Sequence, residues 1–319
     1  MKNTLADCLH KYDTKSLHAY CNAYKVPFVE DAKDTVCTAL AKKLIEEKIL
    51  EKRFGILTDD ILQGLHDIAD GKILNDEDCI DHLDGLDLIY GSAETHQWIV
   101  PEEVKERFQI ESESWHRERR SRVWLMQCLS VIQHYWADVS VDTMRKLYLL
   151  KDTVDPQADL KKLFVEIPVS EINCVLIGNA FVIRGWRSSE VFAEYRDKQK
   201  KYSFAMPSIE EVEDLYRNDF DTLNPYGNKV KKWFLQNGAE EEDLEYLLHE
   251  LWNDMNYGHD ETEILKEAES MIVYDDKEEQ EQFRSILHQW YLHTRRMDFR
   301  GHTLAEENKE QSEGETVCV

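Results

Sequence analysis

The chain has no Cys-x-x-Cys pair, no uninterrupted apolar run of about 18 residues, no GxGxxG, P-loop or GxSxG signature, and fewer basic than acidic residues. Each absence narrows the field. Its seven cysteines, at 8, 21, 37, 79, 128, 174 and 318, are odd in number and unevenly spaced, which argues for reduced thiols and against a disulfide frame or a zinc ribbon. Without a long apolar run there is no candidate membrane span, and the opening residues MKNTLADCLHKYD lack the apolar core of a signal peptide. The expectation is a soluble, cytoplasmic protein. His249-Glu250 opens like a zinc-protease helix but has Asn253 where the second ligand belongs, and His288 and His293 would sit about 140° apart on a helix. Among 64 carboxylates chance neighbours are assured, so no acidic pair marks acid–base catalysis by itself. Neither enzymatic activity nor a cofactor or metal is expected.

Against those 64 acidic residues stand 39 Lys and Arg, a net charge of −25. Such a field disfavours membrane surfaces and phosphate backbones, so a protein partner is expected and nucleic acid could be met only through local basic patches. The oligomeric state is left open.

What is present is a mainly α, multi-module pattern: 319 residues, 42% of them apolar, suffice for several small cores. In residues 1–54, Thr14 is a candidate N-cap for a helix over Lys15–Tyr24 with Leu17, Tyr20, Cys21 and Tyr24 on one face. Pro27 ends it, and Asp31 or Asp34 restarts a helix through Leu50. This helix, extended loop and helix, with Leu17 and Tyr20, Val26 and Phe28, then Lys33, Leu40, Leu44 and Ile45, resembles the SAP-like and Rho-N-terminal helical modules. The resemblance implies a nucleic-acid contact, for which Lys33, Lys42 and Lys43 are the candidates; the alternative is that these lysines solvate the outer face of an amphipathic helix.

Two segments then share a shape. Over 55–112, Thr58 caps a helix to about Ala69, Asn75 or Asp76 starts another, and Leu88–Tyr90 with Gln97–Val100 read as strands around a turn at Gly91–Thr95. Over 138–186, Ser140 begins a helix to Leu150, Asp155-Pro156 begins a second, and Cys174–Ile177 with Phe181–Ile183 form a hairpin around Gly178-Asn179. Helices followed by a hairpin resemble winged-helix units, which implies DNA reading by a basic helix and wing. The charges fit poorly, because residues 75–87 hold six acids and no Lys or Arg; the second copy offers Lys161, Lys162, Arg184 and Arg187. Between the copies, a helix from Glu113 or Ser114 to Ala137 carries Arg117, Arg119, Arg120 and Arg122 beside Trp115 and Trp124. Such an array could clamp phosphates or stack on bases, or it could simply solvate a helix paired with nearby glutamates.

Pro207 marks a change of composition, since residues 207–319 hold 29 acidic and 11 basic side chains. Ser208 and Glu211 form a capping box, and amphipathic patterns at 209–220, 225–237, 241–256, 261–272 and 277–294 predict a helical bundle. The segment His293 to Glu306 resembles the Thr-Arg and Gly-His-Thr element of bacterial proteins with a SEC-C metal-binding tail, matching at Thr294, Arg295, Gly301, His302, Thr303 and Glu306. That family's cysteine-rich zinc tail is missing, and the same residues suit a turn at Gly301 followed by a Thr303–Glu306 capping box.

The expected organisation is therefore a SAP-like module at 1–54, a winged-helix-like unit at 55–112, a long helix plus a second winged-helix-like unit at 113–206, an acidic helical bundle at 207–306 and a mobile acidic tail at 307–319. The expected role is that of a non-catalytic interaction or regulatory protein of bacterial or phage type. The alternatives are an acidic, phosphate-mimicking binder of a basic protein and an enzyme whose site sequence does not reveal.

Overall fold

Local capping chemistry sets most of the helices. The computed structural model describes residues 3–91, 97–185 and 190–309, and over these the chain is mainly helical with two small antiparallel sheets. It divides into two compact units, one of residues 1–123 and 153–168, the other of residues 124–152 and 169–319.

In unit 1 the first helices are Leu5–Leu9, Thr14–Tyr24, Lys33–Leu44 and Glu47–Phe54. Asp13, not Thr14, is the N-cap of the second, its carboxylate accepting from the Ser16 N–H at 2.7 Å. Lys25 closes that helix in the left-handed region at φ 57°, and the chain breaks again at Ile45-Glu46, where one continuous helix was expected. Leu5, Leu9, Leu17, Val36, Leu40 and Leu44 form one apolar core that also includes Tyr90. The N-terminal helices thus share their core with the first hairpin region. Thr58 and Asp76 cap the helices Asp59–Ala69 and Glu77–Gly85 as expected, and Tyr90–Gly91 pairs with Trp98–Ile99. Residues 92–96 of the expected turn lie outside the described residues.

A buried ion pair joins these parts of unit 1. Arg53 Nη2 donates to Asp87 Oδ2 at 2.6 Å, and Tyr20 donates its hydroxyl to Asp87 Oδ1 at 2.5 Å. Asp87 sits at φ 54°, a left-handed conformation that Asp tolerates better than most residues. Tyr24 completes the cluster, accepting from Arg53 and donating to Asp87. Burial, followed by the Asp87 charge, pushes the Tyr20 phenol well above its usual range, so it remains a donor.

Unit 2 opens within the Glu113–Val131 helix, which continues as a wider turn over Ile132–Trp136 rather than as regular helix to Ala137. The Ala137 N–H reaches the Ile132 carbonyl at 2.8 Å, five residues back, and Ala137 stands at φ 60°. His134, Tyr135 and Trp136 within this turn are all buried, as are residues 121–129 of the regular helix before it. Asp138–Ser140 pairs with Ala180–Ile183, which pairs in turn with Cys174–Ile177 around the two-residue Gly178-Asn179 turn. Ser140 caps Val141–Tyr148 as expected, but the next helix begins at Leu160, capped by Asp159, and belongs to unit 1. The compact units therefore divide the 113–206 segment instead of following it.

Unit 2 continues with the helix Glu190–Gln199 and then the expected run of helices, Ile209–Asn218, Pro225–Gln236, Glu241–Asn256, Glu261–Ser270 and Lys277–His293, with the Ser208–Glu211 capping box in place. Phe283, Leu287 and Trp290 bury one face of the last helix, Phe283 packing on Trp233 at 4.6 Å between ring centres. No helix among the described residues is long and apolar enough to cross a membrane.

Candidate functional site

Several of the basic side chains singled out by sequence face inward. Arg119 is buried, donating to the Leu57 carbonyl and to Asp59, and Arg122 is buried against Glu166 at 2.8 Å and Glu118 at 3.3 Å. As phosphate contacts these two are corrected: successive arginines radiate around a helix, and the face bearing 119 and 122 packs inside unit 1. Arg117 is exposed, and Arg120 lies 4.0 Å from Glu113. On the N-terminal helices Lys33 donates to the Tyr12 carbonyl at 2.8 Å, Lys43 pairs with Glu46 at 2.7 Å, and Lys42 is exposed. Arg184 holds the Val169 and Ile172 carbonyls, both at 2.9 Å; Arg187 and the tail from 310 onward lie outside the described residues.

The Thr294 to Glu306 segment is brought together as a closed loop in unit 2. Thr294 is buried and donates to the Trp290 carbonyl at 2.8 Å. Arg295 donates to Glu211 at 2.7 Å and to the Gly301 carbonyl at 2.9 Å. Gly301 has φ +83°, and a β-carbon there would come within 3.2 Å of Tyr135 Cβ, so both backbone and space favour glycine. Thr303 and Glu306 exchange the two hydrogen bonds of a capping box, at 2.9 and 3.2 Å, and residues 304–309 are helical. His302 lies at the edge, 3.4 Å from Glu306. Buried amides tie the loop down: Gln199 donates to the Met297 carbonyl and Asn256 to the Arg295 carbonyl. These contacts account for the motif as an organiser of unit 2.

Around Arg295 lies a cluster of acids that sequence reasoning passed over. The turn after the Ile209–Asn218 helix carries Asp219 at φ 59°, then Phe220 and Asp221. Asp219 accepts from His134 Nε2 at 3.0 Å and stands 3.8 Å from His249 Nε2, beside a groove of about 390 Å³ whose lining includes Ser130, Gln133, Asn173 and Arg184. Partial enclosure would raise the Asp219 carboxyl, whose side chain is 62% exposed, but the hydrogen bond and charge of His134, with His249, hold it below its usual range. Asp214, 9% exposed, accepts from the Thr222 N–H at 2.7 Å and from the Thr222 hydroxyl, which fixes the turn. Asp221 points inward on the other side. It is pushed up to about 6, first by burial and then by Glu211 and Asp214, with Arg295 and the Leu223 N–H opposing.

No family model, curated protein or solved structure matches this chain. Among the described residues no group of three or more His, Cys, Asp or Glu is arranged to hold a metal ion. Neither Asp219 nor Asp221 has a signal in sequence that separates it from the other carboxylates, because the exposed Asp219 is altered by the distant His134 and His249, and Asp221 by burial with Glu211 and Asp214.

The raised Asp221 has a measurable consequence. A carboxyl near 6 when folded and near 4 when unfolded binds more protons in the native state between those values, so its contribution to stability declines as pH rises from about 4 to 6. Asp221→Asn removes that decline. Urea titrations should show the variant gaining on wild type by about 2–3 kcal/mol between pH 4 and 7, then running parallel. A constant difference across the range would contradict the assignment.

Proposed function

We propose that this chain is a non-catalytic interaction protein that docks a basic protein on the outer carboxylates of the unit 2 helices. The observation that supports this most is the contrast in where charge goes. Arg119 and Arg122 are engaged inside unit 1, while residues 241–293 hold sixteen Asp or Glu against three Lys or Arg, with Glu245, Glu250, Glu263, Glu278 and Glu281 exposed. Carboxylates fixed on helices offer an array of acceptors to Lys and Arg, as a phosphate backbone does, and their field steers cationic partners while repelling nucleic acid. The SAP-like and winged-helix-like resemblances enter this reading as module types, and a nucleic-acid contact would fall to Lys42, Arg117 and Arg120.

Charge reversal tests the proposal. The variant Glu245→Lys, Glu250→Lys, Glu263→Lys and Glu278→Lys changes four exposed positions and should fold as wild type does. Immobilised wild-type protein is expected to retain a nuclease-insensitive basic partner at roughly 0.05 M salt and release it by roughly 0.5 M, because exposed charges are screened over a few ångströms at high ionic strength. The variant is expected to retain none of it. Equal retention by the variant, or selective retention of duplex DNA or RNA by wild type, overturns the reading.

A further inference from the structure

A cavity in unit 2 adjoins the acidic outer face at Glu245. It measures about 120 Å³ and is bounded by Phe220, Asp221 and Thr222, by Gly227 on the next helix, by Leu248, and by Trp290. Trp290 is 1% exposed, and its indole N–H, which can only donate, has no hydrogen-bond partner. Buried donors are nearly always satisfied in folded proteins, so an orphan on the wall of a cavity points to a missing acceptor. Gly227 keeps that edge open: a β-carbon there would lie 2.8 Å from the indole nitrogen. Asp221, 9% exposed, has one carboxylate oxygen engaged by the Leu223 N–H at 3.1 Å.

The electrostatics choose the sign of what enters. Asp221 and Glu245 line the cavity, and Glu211 and Asp214 add to the negative potential at Asp221. Arg295 opposes them but is bound to Glu211, and Lys231, the other cation at the cavity, lies 3.0 Å from Glu241. Tyr135, also near Asp221, is held well above the usual phenol range by burial and is neutral. An anion would meet repulsion, whereas a cation relieves it. Phe220 and Leu248 offer apolar walls to a short methylene chain. An apolar cavity of about 150 Å³ holds benzene, so this one suits a ligand of roughly four to seven heavy atoms.

We propose that this cavity binds a small primary ammonium compound that also carries a hydroxyl or ether oxygen, with the ammonium on Asp221 and the oxygen accepting from the Trp290 N–H. The site shares Glu245 with the docking surface proposed above, but its ligand is read at Trp290 and Asp221, which that surface does not use. The raised carboxyl agrees with it: an aspartate kept against its own burial gains most when a cation arrives, and binding should weaken as pH falls below about 6.

The full-length chain labelled with ¹⁵N-tryptophan tests the site, with the Trp290 indole resonance assigned by its loss in Trp290→Phe. Titration with ethanolamine at pH 7.5 is expected to move that resonance saturably. Ethylamine, lacking the acceptor, and 1-propanol, lacking the charge, should each bind about tenfold more weakly or worse, and acetate not at all. Asp221→Asn, nearly isosteric, should weaken ethanolamine by about tenfold or more while the other indole resonances hold their positions, which reports intact folding. Three results would overturn the proposal: no saturable shift with ethanolamine, which means water alone fills the cavity; equal binding by Asp221→Asn; or equal binding of ethylamine.

Discussion

Replacing Arg53 with alanine is expected to destabilise unit 1 by about 3–5 kcal/mol, the usual loss when one partner of a buried ion pair is removed. Arg53 and Asp87 have side chains only 7% exposed, so the stranded Asp87 carboxylate would keep little solvent to compensate. Its remaining donors, the Tyr20 and Tyr24 hydroxyls, are neutral and cannot replace the guanidinium. The double variant Arg53→Met with Asp87→Asn should recover most of the loss, since asparagine accepts from Tyr20 and tolerates φ 54° while methionine fills the arginine stem's volume. Urea unfolding monitored by hydrogen exchange at Leu40 and Leu44 in the shared core would separate unit 1 from unit 2. A loss under about 1 kcal/mol in the single variant would mean the pair is solvated, as surface pairs are. The same cluster bears on modularity, because Tyr20 and Tyr24 come from the second helix, Arg53 from the fourth and Asp87 from the hairpin region. A fragment ending at residue 54 would strand Arg53 and open the core at Tyr90, so it is expected to fold poorly.

What could be read from sequence here is what depends on neighbours three or four residues away. Thr58, Asp76, Ser140 and Ser208 cap the helices they were expected to cap, because a capping side chain meets only the next turn of its own chain. Gly178-Asn179 makes its hairpin for the same reason. The misses are of a different kind. The change of the Glu113–Val131 helix to a wider turn at Ile132 leaves no mark in sequence, since the apolar pattern runs on through Tyr135 and Trp136. The direction of Arg119 is decided by Leu57 and Asp59, some sixty residues earlier. Asp219 falls at the end of the expected 209–220 helix and Asp221 just beyond it, and they become unusual only through His134 and His249 for the first and burial with Glu211 and Asp214 for the second. Candidate patches chosen by the density of one residue type therefore mixed inward and outward side chains, while the carboxylates with altered chemistry went unmarked.

Gly258→Ala, a single added methyl group, is expected to destabilise unit 2 by about 2–5 kcal/mol. Two terms contribute. Gly258 stands at φ +82°, where an L-residue costs about 1–2 kcal/mol. The new β-carbon would also lie 2.4 Å from Arg296 Nη2 and 3.0 Å from Asp298 Oδ2, and overpacking a fixed group costs about 1–3 kcal/mol. An arginine head would ordinarily swing aside at little cost, but this one is held on three sides. It donates to Asp298 through Nε at 3.0 Å and Nη2 at 2.9 Å, donates through Nη1 to the Tyr291 hydroxyl at 3.2 Å, and lies over the Phe299 ring at 4.7 Å. Moving it would leave Asp298, whose side chain is 6% exposed, without its charge partner inside the loop that Gln199 and Asn256 tie to the rest of the unit. The two terms can be separated by Arg296→Met with Asp298→Leu, which removes the obstructing fork. In that background Gly258→Ala should cost the backbone term alone, about 1–2 kcal/mol, and the difference between the two cycles measures how rigidly the loop holds its ion pair. Equal costs in both backgrounds would show that the guanidinium moves freely, and the Thr294 to Glu306 segment would then lose its place as the organiser of unit 2.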